Sequence, residues 1–120
     1  MYSFTFRING LPRTINSIGR KHWGAKTREA NLWKHNVLWS TIDNKPPKPL
    51  KKAKLILKRV STTAPDYDGL VSSFKHVVDG LIDAEIIEDD RMENIGMPEF
   101  IWTKGKRNKG FIEVTVIEVK

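Results

Sequence analysis

A small α+β domain, in which a mixed β-sheet packs with two main helices, is the fold this sequence predicts. Three observations carry it. Residues 2–8 alternate apolar Tyr2, Phe4, Phe6 and Ile8 with polar Ser3, Thr5 and Arg7, the period of a half-buried strand. Residues 64–84 space Leu70, Phe74, Val77, Val78 and Leu81 as one helical stripe. The closing stretch, FIEVTVIEVK, is rich in β-branched residues and reads as a strand. At 120 residues the chain has the size of one domain, taken as 1–120.

The elements follow in the order β-loop-α-β-α-β-β. After the first strand, Asn9 to Ala25 reads as a loop broken by Gly10, Pro12, Gly19 and Gly24. It carries Arg13, Asn16, Arg20, Lys21, His22 and Trp23 and no acid. Basic groups beside an aromatic suit phosphate contact and base stacking; a plain connector has the same composition. Thr27 is the expected N-cap of a helix that runs to about Asn44. Its apolar residues, Leu32, Trp33, Val37, Leu38, Trp39 and Ile42, cover an arc wide enough for both a core and a partner subunit. His35 has no second ligand at metal spacing and reads as surface.

The KPPKP segment, 45–49, excludes helix and ladder and must connect. In the strand that follows, Ala53, Leu55 and Leu57 face one way, and Lys52, Lys54, Ile56 and Lys58 the other. Lysines placed so either guard a sheet edge or track a phosphate backbone. Pro65 biases Ala64 to extended backbone, and a single helix then runs to about Ala84. Residues 92–103 and 110–119 read as a hairpin joined across KGKRNKG, a basic turn whose composition is also that of a solvated tip.

Charge is segregated along the chain. Residues 1–64 hold 14 Lys/Arg and 2 Asp/Glu, net +12; residues 65–103 hold 2 and 10, net −8; residues 104–120 hold 5 and 2, net +3. A basic molecule with its acids in one stretch suggests a polyanion-binding surface around a cation-binding pocket; a plain solvated surface has the same composition. The absence of cysteine excludes disulfides and thiolate metal sites and fits the cytoplasm. There is no membrane-spanning run, and MYSFTFRING lacks the layout of a signal peptide.

The acids include Asp66 and Asp68, two apart. In extended backbone they would share a side and within a helix they would diverge, so Asp66 is placed on the approach and Asp68 at the helix start. Asp68, Ser72, Lys75 and Asp79 then share one polar helix face. Asp89 and Asp90 close the stretch. Two hard oxygen ligands joined by a later carboxylate would suit Mg²⁺ or Mn²⁺; the competing reading is that Asp66 and Asp68 cap a helix and favour its dipole.

Asp66-Tyr67-Asp68, Lys75, Asp79-Gly80-Leu81 and Asp89-Asp90 together form a pattern that resembles the RusA family of Holliday-junction resolvases of bacteria and their prophages. The stretch LPRTINSIGRKHW resembles that family's amino-terminal Leu-Pro and Asn loop. The resemblance implies Asp66, Asp68 and Asp90 as metal ligands for Mg²⁺ or Mn²⁺, and Lys75 as the lysine beside the scissile phosphate. It implies a homodimer that places paired nicks in a four-way DNA junction, a step of DNA recombination and repair. Arg13, Asn16, Arg20, Lys21, Lys52 and Lys54 are the residues expected to hold DNA. The chain departs from the pattern in having Gly69-Leu70 where Asn-Leu is common, and a gap of seven rather than four between Asp68 and Lys75. The same residues are compatible with an inactive junction-binding protein, or with a metal nuclease acting on other branched DNA or on RNA.

Overall fold

The computed structural model describes residues 2–13 and 23–120, without the side chains of 23–26. The elements are β1 (Ser3–Asn9), α1 (Trp23–Thr41) with a 3₁₀ turn (Ile42–Asn44), β2 (Ala53–Ser61), α2 (Tyr67–Ser73), α3 (Lys75–Asp83), α4 (Met92–Ile95), β3 (Glu99–Lys104) and β4 (Phe111–Glu118). The four strands form one mixed sheet in the order β1-β4-β2-β3. β4 is antiparallel to both β1 and β2, while β3 runs parallel to β2. The α+β architecture expected from the sequence is the one observed.

Period-2 patterning sets the faces. Ala53, Leu55 and Leu57 of β2, Ile112, Val114 and Val116 of β4, and Phe6 and Ile8 of β1 are buried on one side. They meet Trp33 and Val37 of α1, Leu70 of α2, Phe74, and Val77 and Leu81 of α3, which form one continuous core. The other face carries Ser3, Thr5, Arg7 and Lys54, all exposed, with Lys58, Glu113 and Thr115 half-buried. β2 is an interior strand with neighbours on both sides. Its lysines therefore do not guard an edge.

Four expectations are corrected. The last two strands are not a hairpin, because β2 lies between them. Residues 105–110 need only cross two strand spacings, roughly 10 Å, and Gly105 N–H donates to Ser61 O on the way (3.0 Å). β2, with Leu55 and Leu57 fully buried, takes the central position, which its apolar composition suits better than that of EFIWTK. The expected strand from 92 begins only at Glu99, and Met92–Ile95 is a short helix. The first long helix starts at Trp23, so Thr27 lies inside it rather than capping it. The helix expected through residue 84 is broken at Phe74, whose φ is −94° and ψ 1°. Just before the break, Ser72 Oγ donates to Gly69 O (3.2 Å) and Ser73 Oγ to Leu70 O (2.8 Å). Hydroxyls bonded back to carbonyls of the preceding turn bend a helix.

α1 and α3 cross at Gly80. A Cβ placed there would stand 3.0 Å from Val37 Cβ and 3.1 Å from the Lys34 backbone. The Lys34–Asp83 ion pair (3.4 Å) flanks the crossing. Among the described residues, no helix is long and apolar enough to cross a membrane. Gly80→Leu would force the two helices apart and is expected to cost about 2 kcal/mol or more. Thermal denaturation followed by circular dichroism checks this; an unchanged midpoint would show that the crossing is not tightly packed.

Candidate functional site

Asp66 is extended, with φ −71° and ψ 172°, and Asp68 lies in the first turn of α2. The two-residue spacing had placed them so. Asp66 caps the helix: its Oδ1 accepts the Gly69 N–H at 2.7 Å. The side chain of Asp68 is exposed.

Lys75 opens α3, just past the break. Its Nζ donates to Asp79 Oδ1 at 3.2 Å, one helical turn on, and lies 3.7 Å from Asp90 Oδ2. Asp90 arrives from the segment after α3, whose path is fixed where Leu50 pairs with Ile87: Leu50 N–H donates to Ile86 O (3.0 Å), and Glu88 N–H to Leu50 O (3.0 Å). Asp89 turns elsewhere, accepting Asp90 N–H at 2.7 Å and pairing with Arg91 Nε at 3.3 Å. Of the two closing aspartates, Asp90 is the one that meets Lys75. Beside them Val71, Phe74, Val78, Ile95 and Phe100 line an open, mostly apolar cleft of about 310 Å³, with Lys75 and Asp90 also in its wall.

The hydrogen bond to Asp79 holds the Lys75 ammonium above the usual lysine range; partial burial opposes this, and the charges of Asp79 and Asp90 add to it. The sign follows from linkage. A raised lysine pKa adds stability that is complete below the unfolded-state value and is lost as pH climbs through the folded one, in the alkaline range. Lys75 is therefore a fixed cation at neutral pH.

The structure brings Lys75 and Asp90 together and adds Asp79, which had been placed on the polar helix face but not among the site residues. The four-residue offset from Lys75 was the signal for it. Among the described residues, no group of three or more His, Cys, Asp or Glu stands in an arrangement that could hold a metal ion. Asp66, Asp68 and Asp90 offer the hard oxygen chemistry that Mg²⁺ or Mn²⁺ prefers, but they are not gathered into one coordination sphere. One oxygen of Asp66 is engaged by the helix cap and Asp90 by the lysine.

The residues expected to hold DNA are dispersed. Arg13 is exposed, with its backbone N–H donating to Glu29 Oε1 at 2.9 Å. Lys52 and Lys54 are exposed where β2 begins, at the end of the sheet opposite the Ser61 end from which the chain leads to Asp66. Asn16, Arg20 and Lys21 lie outside the described residues. No protein-family model matches the chain, and no curated protein matches it.

Asp79→Asn is expected to return Lys75 toward the ordinary lysine value of about 10.4. NMR titration of the Lys75 side chain reads this directly; an unchanged titration would show that Asp79 does not hold the ammonium.

Proposed function

We propose that the protein is a metal-dependent endodeoxyribonuclease that resolves four-way DNA junctions in the cytoplasm. The observation that carries this reading is the meeting of Lys75 with Asp90, residues far apart in sequence, at 3.7 Å. It supports the pairing of residues in the pattern that resembles the RusA resolvases, with Asp66 and Asp68 heading α2, the helix just before Lys75. The overall excess of cations, net +7, favours a polyanionic substrate.

In this reading Asp66, Asp68 and Asp90 are the residues that would hold Mg²⁺ or Mn²⁺, and a bound ion would supply an activated water for phosphodiester hydrolysis. Three carboxylates repel one another without a counter-cation. Lys75 offsets part of that repulsion at Asp90. Its charge is suited to a phosphate oxygen, where it would stabilise the negative charge that builds up during in-line displacement. The exposed Arg13, Lys52 and Lys54, with Asn16, Arg20 and Lys21, are assigned to the DNA arms.

A second reading, a junction-binding protein without catalysis, is favoured by one observation: Asp66 and Lys75 already have structural partners, Asp66 as the cap of α2 and Lys75 in ion pairs with Asp79 and Asp90. Purified protein with a synthetic four-way junction and Mg²⁺ separates the two. Paired nicks are expected, with cleavage lost in Asp68→Asn and lowered at least about 100-fold in Lys75→Met, while junction affinity is retained. Binding without nicking, equal in wild type and Asp68→Asn, would leave the second reading.

A homodimer belongs to the same proposal. α1 and the turn after it carry apolar side chains on both sides: Trp33 and Val37 are buried, while Leu32, Leu38, Trp39 and Ile42 are about half-exposed or more, Trp39 at 61%. Large apolar side chains left exposed among Arg28, Asn31 and His35 suit burial against a second body. Sedimentation is expected to give a dimer that Trp39→Glu weakens; a wild-type monomer at tens of micromolar would remove the second copy from the proposal.

A further inference from the structure

The pairings Asn9↔Phe111, Val60↔Phe111 and Ser61↔Lys104 bring the ends of β1, β2 and β3 and the start of β4 to one end of the sheet. Residues 7–13 and 104–110 meet there and carry six cations, Arg7, Arg13, Lys104, Lys106, Arg107 and Lys109, with no acid in either segment. The two segments are joined tightly. Gly10 N–H donates to Gly110 O at 2.9 Å. A Cβ on Gly110 would meet Leu11 Cδ1 at 2.5 Å and would push that side chain aside, so the segments approach closely here. Arg59, half-buried on β2, donates from Nη1 to Pro12 O at 2.7 Å and tethers the first segment. The Arg7 guanidinium lies 3.5 Å above the Phe111 ring. Between the segments is an open hollow of about 540 Å³ lined by Arg7, Asn9, Asn108, Lys109 and the backbone around Gly10 and Gly110. Two carboxylates stand near but outside its lining: Glu113 sits across the sheet from Arg7 and Lys58, and Glu29 accepts from Arg13 N–H and Trp33 Nε1.

We propose that this paired-loop hollow binds the phosphodiester backbone of a DNA arm, with Arg7 and Lys109 of its lining and Lys106 and Arg107 of the adjoining turn neutralising phosphates, and Asn9 and Asn108 donating amide hydrogens. The identity of the polyanion rests on the function proposed above; the site itself rests on the hollow. It is concave, rigidly joined and free of acids, which fits a strand threaded through it rather than a flat surface laid against it. It stands at the end of the sheet from which the chain leads to Asp66 and Asp68, so an arm held here is directed toward the acidic segment. Planar, stacked Arg7 gives a fixed fork for one phosphate, and the mobile lysines follow its neighbours.

The test is fluorescence anisotropy with a labelled four-way junction over a salt series. It compares wild type, Lys106→Gln/Arg107→Gln/Lys109→Gln, and the equal-charge control Lys45→Gln/Lys48→Gln/Lys120→Gln at the other end of the sheet. All six side chains are exposed. The turn variant is expected to bind at least about tenfold more weakly and to reduce the slope of log affinity against log salt by about 2 to 3, with the control changing it by less than about 1. Equal slopes for the two variants would overturn the site, even if wild type cleaves the junction. A reduced slope in a protein that never cleaves would leave the site standing and remove the nuclease. Loss of binding by the turn variant only to phosphatidylserine vesicles would overturn it in favour of a lipid surface, and a wild type without junction affinity at 50 mM salt would overturn both readings.

Discussion

Pairing of β2 on both of its edges is the constraint on which the rest of the molecule depends. Leu55 and Leu57 are completely buried in that strand, and the sheet can satisfy the backbone around them only by flanking β2 with β4 and β3. Because β3 is parallel to β2, the chain between them must return from one end of the sheet to the other. That return contains α2, α3 and α4 and every acid from Asp66 to Glu93. The acidic segment is a crossover, held against the sheet by Leu70, Phe74, Val77 and Leu81, with its carboxylates left on the outer side.

Electrostatics then sort this surface. Ten acids lie within residues 65–103 with two cations of their own stretch among them, and each of these is paired with two carboxylates: Lys75 with Asp79 and Asp90, Arg91 with Asp89 and Glu93; Lys34 and Lys45 reach in from outside to Asp83 and Glu85. Exposed pairs of this kind contribute little to stability. Their effect is positional, since they fix which of the adjacent aspartates looks toward α3. Among the described residues, most of the other cations outside the crossover lie on the loops and the open sheet face.

Much of this was legible in the sequence, for identifiable reasons. Alternation placed Ala53, Leu55 and Leu57 on the buried side of β2, because a strand's faces are set by a period of two and nothing else. The extended Asp66 and helical Asp68 followed from their spacing. Strand partners did not follow, since the choice between a hairpin and an inserted β2 depends on which apolar strand wins the centre of the sheet. The break at Phe74 was hidden because a continuous apolar stripe runs through it; the serine hydroxyls at 72 and 73 compete with the helix only once the side chains beneath them are packed. The meeting of Lys75 with Asp90 depends on the bridge between Leu50 and Ile87, two residues that carry no local sign of pairing.

Placing the acidic residues on a crossover also separates two kinds of tolerance. The strands are tied in register to neighbours and cannot slip by one residue without turning the core outward. The connection is held to the sheet by a few apolar side chains, and lengthening it by three residues would alter loop closure by under about 0.1 kcal/mol. An insertion in its loops, outside the packed helices α2 and α3, therefore leaves the register of the sheet untouched. The acidic side chains can be re-spaced by insertion or deletion in those loops while the frame that carries them stays the same.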